Sequence, residues 1–321
     1  MAAGCDYAVA RVRAMRSRLL GRAGIAALLA ERGLAARLEL LKRTDYGEAL
    51  AAHPVPGDPL AEAERGLSAR LMHDLEQIDR FLAGERVRAL FRAILAFEDG
   101  WMLKTILRGV AAGQPPERIV PLLMPTPGLG LAALAELVRQ RDVKAVVDML
   151  ATWRSPYAPA LLDALGATAQ RLDLLPLEVV LDRLLFGRAI EAARGDGEDG
   201  RMLHAFLEAQ IDLVNAATRL KLGDQGGAEE FLIPGGRPGR AARDRAYALL
   251  AGVDDPAAAD QMLHRTLAGT IRREASRNPL SLAVPLSYVL DRRAEIQRIR
   301  LVLRGAEFGL PAADLLELVE A

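Results

Sequence analysis

The residues able to do chemistry are few. Four histidines, His53, His73, His204 and His264, come first, because imidazole binds metals and moves protons near neutral pH. None stands in a His-Glu-x-x-His pair or a Glu-x-x-His repeat of the di-iron type. His204 and Glu208 are four apart, close enough to share a helix face, and one such pair reads as a surface contact. Cys5 is the only cysteine, so neither an internal disulfide nor a cysteine-based metal site is expected. Asp254-Asp255 invites comparison with the aspartate-rich helices of isoprenoid synthases, but Ala258 occupies the position of the third acid. With Pro256 next, these acids read as a helix-start cap. Gly128-Leu129-Gly130 has dinucleotide-fingerprint spacing, yet it follows a Pro-rich turn where that fold needs a strand. There is no G-x-x-x-x-G-K-[ST] loop and no G-x-S-x-G elbow. Catalytic, cofactor-binding and metal residues are therefore all expected to be absent, which shifts weight toward a structural or coupling part.

The elements that would carry any site read as helices. Alanine and leucine dominate, and aromatic residues make up only 4% of the chain, a balance that favours helix over sheet. Residues 7–50 predict two or three short helices, with Leu28, Leu29, Leu34, Leu38, Leu40 and Leu41 at mixed three- and four-residue spacings. HPVPGDP, 53–59, is a break, and the proline-free stretch from Leu60 to Arg108 predicts two or more long helices. Further helices are predicted over 131–152, 158–173, 177–194, 201–222, 240–251 and 256–275. NPLSLAVP, 278–285, then precedes a final long one. No period-two series marks a strand, so the expected class is all-α.

Three helices share a pattern: Asp99 to Arg108, Asp212 to Lys221, and Glu295 to Arg304, each an acid and a base nine residues on with apolar residues between. Acid early and base late complements a helix dipole, which would explain any one of them. Three in one chain, each followed by a turn, point to an internal repeat. LKRTDYGEAL (41–50) and LATWRSPYAPAL (150–161) also correspond, with LHRTLAG (263–269) a weaker third copy. The expected units are 1–107, 108–220 and 221–321, the last closing on the first. Arg108, Lys221 and Arg304 are candidate partner-binding residues.

The chain carries 42 basic and 42 acidic residues, so it lacks the basic footprint of a nucleic-acid binder. Its start has no uninterrupted apolar region of the secretory type. No apolar run reaches the roughly 18 residues that span a bilayer. A soluble, cytosolic protein is expected.

Taken in order, YAVARVRAMRSRLL, TDYGEAL, FEDGWMLKTILRG and NPLSLAVPLSYVLDRRAEIQRIRLVLRGAEFGLP resemble the C subunit of V/A-type ATPases, the d subunit of the eukaryotic enzyme. Met102-Leu103 stands where the family commonly has Asn-Leu. The resemblance implies a funnel-shaped body of three pseudo-threefold helical lobes with no catalytic role. Such a part is a central-stalk rotor socket for the D and F proteins of the shaft. It would sit on the membrane proteolipid c-ring, at the cytoplasmic face, during ATP-driven proton or sodium transport or ATP synthesis. The other reading of the same residues is an all-helical scaffold docking a different multisubunit complex.

Overall fold

The computed structural model describes residues 5–167, 173–195, 197–222, 228–237, 244, 248, 250 and 256–320. Among these residues there is no strand, and the class is all-α. Asp254-Asp255 and most of the stretch 240–251 lie outside the described residues. The chain divides into two compact units, one joining Ala3–Ala83 to Glu274–Ala321 and the other Gly84–Arg273. Positions 107/108 and 220/221, where the repeat spacing suggested boundaries, fall inside unbroken helices. Sequence repeat and compact unit are thus different divisions of one chain.

The first unit opens with α1 (Asp6–Arg16), α2 (Gly21–Ala30), α3 (Gly33–Lys42) and α4 (Gly47–Ala51), one helix more than the spacing predicts. α5 (Pro59–Phe81) starts at a strong cap: Asp58 Oδ1 accepts from Ala61 N at 2.9 Å, and Pro59 takes the first helical position. It gives way to α6 through Gly84, whose φ of +87° suits glycine. On α5, Ala63, Leu67, Leu71, Leu75 and Ile78 form a buried stripe. The stripe packs against the last long helix of the chain, whose Ile296, Ile299, Val302 and Leu303 are buried. α4 crosses α5 at Gly66, where an added Cβ would lie 2.8 Å from Leu50 Cα. Backbone cannot yield as a side chain does, so Gly66→Ala is expected to cost about 1–3 kcal/mol by overpacking. Urea denaturation measures this, and an unchanged midpoint would contradict it.

The second unit is built on α6 (Glu85–Ala111), followed by the single turn α7 (Pro116–Ile119), α8 (Leu131–Val138), α9 (Val143–Thr152), α10 (Ala158–Ala167), α11 (Leu174–Ala193) and α12 (Glu198–Leu222). The helix predicted over 131–152 is two helices, because Asp142 turns its carboxylate onto Ala145 N at 2.7 Å and restarts the helix there. Leu103, Ile106 and Leu107 of α6 share a core with Leu137, Val147, Leu150, Leu161, Leu177 and Leu181. α13 (Pro256–Arg277), α14 (Ala283–Glu307) and α15 (Ala312–Glu320) complete the chain. α15 packs on α14 and on α2, beside the N-terminal helices of the first unit.

Candidate functional site

The three repeated acids are held by hydrogen bonds. Asp99 is nearly buried on α6, where it accepts from Thr126 Oγ1 and, at 2.5 Å, from Tyr157 Oη. Glu295, on α14, accepts from Tyr46 Oη at 2.7 Å and from Gly21 N at 2.9 Å. Asp212, on α12, accepts from Arg237 N at 3.0 Å. Tyr46 and Tyr157 are the tyrosines of the corresponding segments TDYGEAL and RSPYAPAL. For Asp99 and Glu295 the two sequence repeats are thus two sides of one contact, acid on one helix and phenol on a turn. The Pro-Gly turns after α6 and α12 close on the same carboxylates. A Cβ on Gly128 would collide with Asp99, and one on Gly236 would come within 2.5 Å of Asp212 Oδ1.

The ends of α6 and α14 match residue for residue. Arg108-Gly109-x-x-x-Gly113-x-Pro115 and Arg304-Gly305-x-x-x-Gly309-x-Pro311 share one spacing. In both, the helix ends on a left-handed glycine, φ +62° at Gly113 and +68° at Gly309. In both, a backbone N–H returns over the turn, Gln114 to Gly109 O at 2.9 Å and Leu310 to Gly305 O at 2.8 Å. Gly109 receives Ile119 against its bare Cα, and Gly305 receives Leu315.

Each terminal arginine grips a glutamate on a second helix. Arg108 Nε and Nη2 donate to Glu178 of α11 at 2.5 and 2.6 Å, a two-pronged pair. Arg304 Nε donates to Glu64 of α5 at 2.5 Å. One turn earlier, Lys104 pairs with Asp182 at 2.5 Å, whereas Arg300 meets the hydroxyl of Ser68 at 2.7 Å. Ser68 therefore stands where the other unit has a carboxylate. Burial, opposed by Glu64 and helped by Arg304 and Arg293, pushes the Arg300 pKa down to about 10. Lys221 lies on α12, and its side chain is outside the described residues.

The first unit holds a further cluster that motif reading missed. Arg292 is fully buried on α14. It reaches Asp45 at 2.7 Å, Asp74 at 2.9 Å and Glu295 at 3.5 Å. Arg70 adds pairs to Asp45 at 2.9 Å and Asp74 at 3.0 Å, and Tyr288 Oη donates to Asp74 at 2.5 Å. The guanidinium also lies 5.1 Å from the ring centre of Tyr46. Burial alone would lower the Arg292 pKa, but Tyr46, Tyr288 and Asp74 around it outweigh that and raise it. The legible signal was spacing: Tyr288, Arg292, Glu295 and Ile299 fall on one helical stripe, so a charged pair sits among apolar positions.

Three of the five tyrosines, Tyr46, Tyr157 and Tyr288, have pKa values raised above 10.0, first by burial and then by neighbouring carboxylates. Above pH 10 the unfolded chain releases these protons while the folded one keeps them, so stability falls as pH rises. Arg300 works the other way, since its folded form loses the proton first. Arg37, lowered by burial, acts in the same sense as Arg300, so the three phenols leave a net difference of about one to two protons, on the order of 1–3 kcal/mol per pH unit above pH 10. Urea midpoints from pH 9 upward test this, and a flat profile would refute it.

His204 Nε2 lies 3.7 Å from Glu208 Oε1 on a half-exposed surface, and no group of three or more metal-ligating residues occurs among the described residues. No helix among them is long and apolar enough to cross a membrane. What the polar chemistry does is tie helices together: α6 to α11, and α14 to α5, by charge pairs at matched positions.

Comparison with known proteins covers nearly the whole length of the chain. The family described as ATP synthase (C/AC39) subunit matches residues 8–318. The C subunit of the V-type ATP synthase of Thermus thermophilus is 32% identical, covering 99% of this chain and 98% of its own. That of Deinococcus radiodurans is 26% identical, over 98% and 91%. The C subunit of the A-type ATP synthase of Haloferax volcanii is 27% identical, over 98% and 97%. The order TDYGEAL, LKTILRG, RLVLRGAEFGLP, with its acids, phenols and terminal arginines, is therefore the framework of a chain that belongs to the ATP synthase (C/AC39) subunit family.

Proposed function

We propose that this chain is the non-catalytic socket between the rotor shaft and the membrane ring of a V/A-type ATPase. The observation that carries this reading is the match to C subunits of V- and A-type ATP synthases over nearly the full length. In this reading the three sequence repeats give three pseudo-equivalent lobes of a funnel. The D and F proteins of the shaft enter it, and the proteolipid c-ring lies beneath it, at the cytoplasmic face of the membrane. A torque-transmitting part must not shear. Helices cross-tied by buried or half-buried ion pairs and close-packed at Gly66, Gly109 and Gly305 suit that load. Electrostatic complementarity at the sockets would fix register.

Arg108, Lys221 and Arg304 are the proposed partner contacts. Because Arg108 and Arg304 already hold Glu178 and Glu64, simple charge reversal would disturb the fold as well. The informative variants exchange the charges, Arg108→Glu with Glu178→Arg and Arg304→Glu with Glu64→Arg, together with Lys221→Glu. Binding to purified ring and to the D–F shaft is then measured. Affinity should fall for one or both. Parent affinity for both would confine these side chains to internal work. Failure of the unaltered chain to bind either partner would remove the socket reading itself.

A further inference from the structure

The charge balance of the whole chain conceals one local imbalance. Between Asp6 and Glu31 stand Arg11, Arg13, Arg16, Arg18 and Arg22, with no acid among them. Arg16 turns inward, to Asp291 at 2.5 Å and Ser287 at 2.6 Å. The other four are exposed, from α1 through the intervening turn to the first turn of α2. Their internal contacts are slight. Arg11 lies 5.1 Å over the Phe81 ring, Arg13 donates to Pro279 O at 3.0 Å, and Arg18, 61% exposed, is 3.9 Å from Asp45. Beside them α2 exposes only small side chains, at Ala23, Ala26, Ala27 and Ala30. Tyr7, 61% exposed, stands at the start of α1.

Two properties narrow the partner. Guanidinium forks match phosphate oxygens two-to-two, and all four exposed cations are arginine. A protein partner would be expected to seat apolar anchors in the middle of its interface. On α1 and α2 themselves, however, no large hydrophobic side chain after Tyr7 is exposed. The other exposed large hydrophobics of this unit, Leu280, Phe308, Leu310, Leu316 and Leu318, belong to its C-terminal segments, among them α15, which packs on α2. A face whose centre is arginine, with apolar side chains only on neighbouring segments, fits a layer of headgroups better than a packed protein interface. We propose that the α1–α2 face of the first unit docks on the phosphate headgroups of an anionic bilayer. The proposal does not rest on the rotor reading, and either can fail alone.

The test is co-sedimentation of the full chain with vesicles of phosphatidylglycerol and phosphatidylcholine, against phosphatidylcholine alone, at low and high salt. Binding is expected only with the anionic lipid and should weaken with salt. Arg11→Gln, Arg13→Gln, Arg18→Gln and Arg22→Gln together should lower partitioning several hundredfold, at roughly fivefold per arginine. Arg139→Gln, Arg141→Gln and Lys144→Gln, on a surface with interspersed acids, should change it little. If the fourfold variant loses helical signal, Arg18→Gln with Arg22→Gln carries the test, with a loss of roughly 25-fold. Equal binding to neutral vesicles, or no loss in the variants, overturns the proposal. So does polyglutamate binding as tight as that of the anionic vesicles, which would mark a surface for acidic protein.

Discussion

Arg292→Met should destabilise the first unit by about 3–5 kcal/mol, because it leaves buried carboxylates without their cation. Asp45, Asp74 and Glu295 all face the guanidinium within 3.5 Å, and both Arg292 and Asp74 have no exposed side-chain surface. Methionine fills much of the volume, so the loss reports charge more than cavity. Against the 5–15 kcal/mol that holds a typical domain, this is a large fraction. Guanidinium chloride denaturation followed by circular dichroism measures it. Adding Asp74→Asn should recover part of the loss, since it removes one stranded charge. A single-variant loss below about 1 kcal/mol would mean that water or Arg70 replaces the lost cation, and the cluster would not be the keystone of its unit.

The second large effect belongs to the other unit. Asp99→Ala removes the acceptor of both Thr126 Oγ1 and Tyr157 Oη and leaves two buried hydroxyl protons without it, although Thr126 Oγ1 still accepts from Leu129 N. Hydrogen bonds to charged groups contribute about 1.5–3 kcal/mol each, so a loss of about 3 kcal/mol or more is expected. Asp99→Asn keeps an acceptor and should cost less. Tyr157→Phe removes one bond without emptying the site and should fall between the parent and Asp99→Ala. If Asp99→Ala and Tyr157→Phe combine additively, the phenol and the carboxylate are not coupled, and the shared acid–phenol contact is not the organising feature of the repeat.

Much of this framework could be read from residues in order. The helix class, the break between α5 and α6, and the restart after HPVPGDP follow from periodicity and from proline and glycine. The acids Asp99, Asp212 and Glu295 and the segments around Tyr46 and Tyr157 were also visible, but as two unrelated repeats. Their union depends on contacts spanning 58 residues in one case and 249 in the other. Spacing along a helix reports which residues share a face and says nothing about which helix that face meets. The terminal arginines show the same limit. Their dipole-friendly positions were legible, whereas Glu178 and Glu64 sit on helices that sequence spacing does not connect to them. Arg292 was hidden for a different reason. A charge on an apolar stripe looks like an exception until its countercharges, on the turn before α4 and on α5, are brought beside it. The split of 131–152 into α8 and α9 turned on one aspartate preferring a backbone amide to solvent.

The first unit draws on both Ala3–Ala83 and Glu274–Ala321, and this orders events during synthesis. The second unit is continuous in sequence and has all its parts once Arg273 has left the ribosome. The first cannot finish then. α5 waits for α14 with its leucine stripe uncovered, and Tyr46 and Asp45 wait for Glu295 and Arg292. Loop closure over such separations is slow compared with local helix formation, and uncovered apolar stripes invite association in the interval. The nascent N-terminal helices are therefore the segment most in need of a chaperone, and the part of the protein made first is among the last to finish folding.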